Sequence, residues 1–259
     1  MGSVVAKVKL LFVLLVAGAM MLWGTPASAD QELMVSAAAS LTEAMKEMAV
    51  QFEKARPGVK VVCNFAASGI LLQQMDKGAP VDVFAVADQK TMNQAQEKKL
   101  IVPDTRKNFV YNLLALIVPM KSKLAMSDLK DLTGTEVNRV AVGNPATVPA
   151  GRYTKEALEK VGLWDLLSPK FIFAESVRQV LDYVSRGEVD TGFVYSTDAA
   201  IANDKVKVSQ TVTGHEPIVY SIAVTTATGK KNLAESFVDF VLSPTAQEIF
   251  SKFGFGGLD

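Results

Sequence analysis

Four short turns in this chain could present backbone amides to a ligand: Ala37-Ala38-Ala39-Ser40, Ala66-Ala67-Ser68-Gly69, Val148-Pro149-Ala150-Gly151 and Glu175-Ser176-Val177. Each stands between a β-rich run and an amphipathic helical run. A helix start leaves N–H groups unpaired and carries partial positive charge, so such turns are suited to anions. No dense set of metal ligands, bases or nucleophiles accompanies them. That combination points to a site that grips a small oxyanion and leaves it unchanged.

Each turn also has a purely structural reading. Ser40-Leu41-Thr42-Glu43 fits a capping box, which would compete for the serine hydroxyl. Ser68 carries the same ambiguity, and Gly69 beside it permits close approach of backbone. Val148-Pro149-Ala150-Gly151 offers no polar side chain, so it acts through amides or is a plain tight turn. Ser176 before Val177 reads as an N-cap. Tyr195 ends a strand and either packs in the core with a wet tip or aims its hydroxyl into a cleft. Arg152 and Arg178 are the only cations just after two of the turns, where arginines usually face solvent.

Catalytic readings find little support. An α/β-hydrolase would show Gly-x-Ser-x-Gly, which is absent. The only histidine, His215, sits in the turn-like Thr213-Gly214-His215-Glu216-Pro217 and reads as a surface loop residue. One histidine and one distant cysteine make a poor metal-ligand set. No catalytic residue is assigned.

The elements that must position the turns alternate between strand and helix. Strands are expected at 32–38, 59–65 and 81–87, with helices at 41–55, 70–77 and 89–99. Leu41, Met45, Met48, Ala49 and Phe52 form one face of the first helix, and Arg56-Pro57-Gly58 stops it. Asp88 is placed to cap the third. The pattern then restarts, with strands at 111–118, 139–142, 171–173, 191–195, 206–212 and 218–224. Helices or turns are expected at 127–132, 152–161 and 177–186, then two terminal helices at 233–242 and 245–253. Alternating β and α segments specify doubly wound, mostly parallel sheets flanked by helices. Two series of similar size predict two lobes with a ligand cleft between them, at the carboxyl ends of the strands. The expected division is 30–110 plus 226–259 for lobe 1 and 111–225 for lobe 2, with hinges at 110–112 and 224–226.

The start of the chain reads as an export signal covering 1–29. Lys7 and Lys9 precede an apolar run at 10–23, and Ala27-Ser28-Ala29 supplies a cleavage pattern. That run is shorter than the roughly 20 residues a spanning helix needs. No cysteine lies near the cleavage site, so a freely soluble periplasmic protein is expected rather than a lipoprotein. The removed segment carries two lysines and no acids, leaving the 27 acids of the chain in slight excess. A nearly neutral chain without a basic cluster gives no reason for nucleic-acid binding. Cys63, the single cysteine, is expected to be a buried, inert thiol.

Taken together, these segments resemble the periplasmic molybdate-binding proteins of ATP-driven oxyanion importers, which have the two-lobed type II periplasmic binding protein fold. Ala37-Ala38-Ala39-Ser40-Leu41-Thr42, Gly78-Ala79-Pro80-Val81-Asp82-Val83-Phe84 with Ala87-Asp88-Gln89, and Val142-Gly143-Asn144-Pro145 carry the likeness. Leu163-Trp164-Asp165, Gly192-Phe193-Val194-Tyr195 and Ala246-Gln247-Glu248-Ile249-Phe250 extend it across the rest of the chain. The resemblance implies ligation by Ser40 and Ser68 from one lobe. From the other it implies the main chain of Ala150 and Val177 and the hydroxyl of Tyr195. It implies molybdate or tungstate as ligand, with molybdenum present only as the oxyanion, and no cofactor. The implied partner is the membrane permease of an ABC importer with its ATPase, served by a monomer. The alternatives are another anion such as sulfate on the same fold, or a secreted hydrolase. The chain departs from the family at Ala66-Ala67-Ser68-Gly69, where more serines are common, and at Ser176, where an acid is common.

Overall fold

The structure is a computed structural model that describes residues 31–257. The export signal expected at 1–29 lies outside the described residues. The strands are β1 (Gln31–Ala38), β2 (Val59–Ala66), β3 (Val83–Val86), β4 (Lys107–Asn112), β5 (Leu114–Pro119), β6 (Val140–Gly143), β7 (Phe171–Ala174), β8 (Thr191–Tyr195), β9 (Val206–Val212), β10 (Ile218–Val224) and β11 (Gly256–Gly257). The α-helices are α1 (Thr42–Ala55), α2 (Ser68–Asp76), α3 (Gln89–Glu97), α4 (Pro149–Lys160), α5 (Trp164–Leu167), α6 (Val177–Ser185), α7 (Ser196–Ala200), α8 (Lys231–Val241) and α9 (Pro244–Lys252).

Two sheets form the two lobes. The first runs β11-β4-β10-β3-β1-β2 and the second β7-β6-β8-β5-β9. Strands β3, β6 and β8 are buried along their whole length, as expected for strands covered on both faces. The sheets are mixed rather than mostly parallel. β1 pairs parallel with β3, and β6 with β7 and β8, but β10 runs antiparallel to β3 and β4, and β5 to β8 and β9. The antiparallel strands are those next to the crossovers, where the chain enters a sheet from the other lobe instead of returning over a helix.

The crossovers correct the expected boundaries. Residues 111–118, read as one strand, are the end of β4 and most of β5, which lie in different sheets and part at the exposed Leu113. The apolar run hides this break because Leu113 looks like any other strand residue. The other crossover is at 213–217, since β10 pairs with β3 and β4 and so belongs to the first lobe, not the second. The hinge placed at 224–226 therefore lies inside lobe 1, where the Thr225 and Thr226 amides donate to the Asp82 and Leu100 carbonyls at 3.0 Å each. The site at 110–112 adjoins the first crossover.

Helix α1 buries Met45, Met48, Ala49 and Phe52. Phe52 meets Phe237 of α8 edge-on with ring centroids 5.0 Å apart, a geometry that adds about 0.5–1.5 kcal/mol to simple burial. Lys252 of α9 pairs with Glu47 of α1 at 2.7 Å. The two terminal helices thus pack on the first lobe. Cys63 is half-buried rather than fully enclosed. Burial, reinforced by Glu53, pushes its thiol up to about 11, so it stays protonated and inert.

Candidate functional site

Ser40, Ser68, Ala150, Val177 and Tyr195 line one small cavity between the two sheets. Strands β1, β3 and β8 all end at it, with Ser40 just after β1, Ala87 just after β3 and Tyr195 closing β8. It therefore lies where open α/β sheets place their ligands. No carboxylate is among its lining residues.

Neither serine is used as a cap. Ser40 lies within a short 3-10 turn, Ala39–Leu41, and helix α1 begins after it with no side-chain cap. The expected capping box is absent because Thr42 takes the local role, donating to the Ala39 carbonyl at 2.7 Å. Glu43 turns instead toward Arg178. The Ser40 hydroxyl meets the Tyr220 hydroxyl at 2.8 Å. Ser68 is the first residue of α2, whose start also lacks a side-chain cap. Its oxygen accepts the Ala87 amide at 3.1 Å, which leaves its own proton free.

The second lobe contributes amides. Helix α4 begins at Pro149, earlier than expected, with proline in the first position where its missing N–H costs nothing. Ala150 is then in the first turn, where amides lack partners inside the helix. Gly151 lets this turn sit on the end of β6: a Cβ there would lie 1.8 Å from the Gly143 carbonyl oxygen. Val177 is the first residue of α6, capped by Ser176, whose side chain accepts from the Gln179 amide at 3.2 Å. The Ser176 cap expected from the sequence is therefore in place, leaving the Val177 amide for the cavity.

Tyr195 is fully buried, and its hydroxyl oxygen has no hydrogen-bond partner. Burial raises its pKa well above the ordinary phenol value, so the group remains a donor. A buried orphan hydroxyl at a cavity wall is a costly feature unless something occupies the cavity.

Arg152 and Arg178 do not line the cavity. Both bridge the lobes beside it. Arg152 pairs with Asp88 at 2.5 Å and donates to the Thr91 hydroxyl at 2.9 Å. Asp88 also caps α3, as its sequence position foretells, accepting the Thr91 amide at 2.6 Å. Arg178 pairs with Glu43 of the first lobe at 2.5 Å and with Asp198 of the second at 2.6 Å. Burial opposes its charge, but the Asp198 and Glu43 carboxylates outweigh that and raise its pKa. A backbone bond also crosses the cleft, from the Gly69 amide to the Thr147 carbonyl at 2.9 Å. These contacts hold the lobes closed over the cavity.

His215 lies in the second crossover, with its two ring nitrogens near the Glu216 and Val212 carbonyls at 2.7 and 3.1 Å. It is not among the cavity residues. Among the described residues, no three His, Cys, Asp or Glu side chains cluster as a metal site, and no helix is long and apolar enough to cross a membrane.

The model of the bacterial extracellular solute-binding proteins matches residues 33–256. The chain belongs to this family. Among its relatives, the molybdate-binding protein ModA of Escherichia coli (strain K12) is 43% identical over 239 residues, 90% of this chain and 91% of that protein. The solved periplasmic molybdate-binding protein of Azotobacter vinelandii has a TM-score of 0.77 at 28% identity, covering 88% of this chain and all of the other. The sulfate-binding protein SubI of Mycobacterium tuberculosis has a TM-score of 0.79 at 17% identity, with 88% of each chain covered. That last likeness concerns fold alone.

The sequence reading missed Asn112, Tyr220 and Asp198, which surround the site from behind. Asn112 and Tyr220 sit in apolar strand runs and Asp198 in a helix too short for periodicity to reveal. The one available signal was polarity inside a buried strand.

Proposed function

We propose that this protein captures molybdate, and tungstate with similar affinity, in the cavity between its lobes and delivers it to the permease of an ABC importer. One observation carries the reading: residues bearing three hydroxyls and two helix-start amides line one cavity between the lobes, with no carboxylate among them. Molybdate and tungstate are dianions at neutral pH with acceptor oxygens only. Each hydrogen bond to such a charge contributes about 1.5–3 kcal/mol, replacing water that would otherwise be lost at a cost. Ser40 and Ser68 supply hydroxyls from lobe 1, Tyr195 a hydroxyl from lobe 2, and Ala150 and Val177 their amides. Molybdenum enters as the oxyanion, with no protein atom bound to the metal.

The protein is read as a binding protein and not an enzyme, acting as a periplasmic monomer after removal of its export signal. No cofactor is required. The family assignment and the identity to ModA support this reading. Sulfate has the same charge as molybdate and a smaller radius, so its rejection rests on cavity size. Isothermal titration of the mature chain with molybdate, tungstate, sulfate and phosphate tests the proposal. Tight binding of both metal oxyanions with weak sulfate and phosphate binding is expected. No heat with either metal oxyanion removes the assignment, and equal binding of sulfate removes the size argument.

A further inference from the structure

We propose that Asn112 and Tyr220 are positioning residues that fix the Ser40 hydroxyl as a donor and thereby set the cavity's preference for fully deprotonated anions. The inference rests on the oxyanion reading of the cavity and goes beyond it to residues that do not line the cavity.

The direction of each bond follows from one fixed group. The Leu113 amide donates to Asn112 Oδ1 at 2.9 Å, so the Asn112 NH2 must face the other way. There it donates to Thr197 Oγ1 at 2.9 Å and to the Tyr220 hydroxyl at 3.2 Å. An amide nitrogen only donates, so the Tyr220 oxygen accepts. Its single proton then goes to its remaining partner, Ser40 Oγ, at 2.8 Å. The opposite direction would leave a phenol proton without an acceptor in a residue that is completely buried. With Tyr220 donating to it, Ser40 keeps its own proton for the cavity.

The three hydroxyls then share one polarity. Ser68 accepts the Ala87 amide, and the Tyr195 hydroxyl has no other partner. Bonds in such a chain polarise each other, so each donor strengthens the next. An anion with acceptors only satisfies all three. Hydrogenphosphate must itself donate a proton, and the chain turns the Ser40 acceptor side toward Tyr220. Discrimination thus comes from an unmet donor on the wrong ligand.

Asn112→Asp tests this by reversing the chain. A carboxylate accepts the phenol proton, the phenol oxygen then accepts from Ser40, and Ser40 presents a lone pair to the cavity. At pH 8 molybdate and hydrogenphosphate are both dianions, so the added negative charge weakens both alike. The ratio of their affinities isolates bond direction. Titration of the full mature chain is expected to show that ratio falling by about tenfold, the equivalent of ~1.4 kcal/mol. Tyr220→Phe, which removes one atom, is expected to weaken molybdate binding by about fivefold or more, as for a lost polarising bond. An unchanged ratio in a folded Asn112→Asp protein overturns the inference, as does undetectable phosphate binding by it. If Asn112→Asp does not fold, unchanged molybdate affinity in Tyr220→Phe overturns it, and the fivefold loss supports it. Failure of the native chain to bind either ion would instead remove the underlying reading of the cavity.

Discussion

Arg152 of the second lobe reaches Asp88 of the first across the cleft, with 2.5 Å between nitrogen and oxygen. Both side chains are largely shielded from solvent, at 13% and 4% exposure. With Arg178 and Glu43 as a second pair, the lobes are joined by opposite charges that flank the cavity without entering it. The arginines are thereby neutralised by carboxylates, and the cavity is left to uncharged donors. Opening the cleft exchanges these ion pairs for water, so their worth is part of the open–closed equilibrium.

Asp88→Asn keeps the cap on α3, since an asparagine oxygen also accepts the Thr91 amide. It leaves Arg152 charged and unpaired only when the lobes are closed. Molybdate affinity should fall by about tenfold or more, while the ligand-free protein shows a larger radius of gyration in small-angle scattering. Unchanged affinity and radius would mean that the pair contributes nothing to closure.

Gly69→Ala separates closure from folding. A Cβ there would lie 2.7 Å from the Thr147 carbonyl oxygen, so the lobes cannot reach the closed spacing. Alanine in the first turn of α2 is otherwise favourable by up to about 1 kcal/mol. Thermal unfolding of the ligand-free variant should stay at or above the native midpoint while molybdate affinity falls by more than tenfold.

The two cavity serines should carry a stability cost as well as a binding cost. Ser40→Ala and Ser68→Ala each remove a donor, and each should weaken molybdate binding by over tenfold. Ser68→Ala also strands the buried Ala87 amide and Ser40→Ala the buried Tyr220 hydroxyl, each at about 1–3 kcal/mol of stability. Urea titration of the ligand-free chains should therefore place both variants below native. Unchanged molybdate affinity in both variants would restrict the serines to structural roles.

Asp198 gives the protein a pH signature. Burial raises its pKa to about 6 from 3.8, against the opposing pull of Arg178 and the Tyr195 amide. The folded chain therefore binds this proton more tightly than the unfolded chain. Between pH 6 and 4 this carboxyl stabilises the fold progressively as pH falls, by at most about 3 kcal/mol at full titration. Asp198→Asn lacks this titration. The native protein should gain stability relative to Asp198→Asn as pH drops from 7 to 4.5, measured by unfolding midpoints. A constant difference would place the Asp198 pKa at its ordinary value.

Most elements were legible because their periodicity is strong. The strands at 191–195, 206–212 and 218–224 and the helix face around Met45, Met48 and Phe52 stand where the pattern of apolar residues puts them. What sequence could not give was which sheet each strand joins. Leu113 breaks one apolar run into two lobes through a single exposed residue, and nothing local distinguishes β10 as a returning strand. The cavity-facing residues were legible because helix starts after strands have a recognisable composition. Their supporting groups were not, since the Asn112–Tyr220–Ser40 chain joins positions 108 and 180 residues apart. Such links are set by tertiary packing and leave no spacing to read.

Diffraction from crystals grown with sodium molybdate, recorded at the molybdenum absorption edge, tests the central claim most directly. A single strong anomalous peak is expected in the cavity, with its oxygens within hydrogen-bond distance of the Ser40, Ser68 and Tyr195 hydroxyls and the Ala150 and Val177 amides. A peak elsewhere, or an empty cavity between closed lobes, would contradict the account.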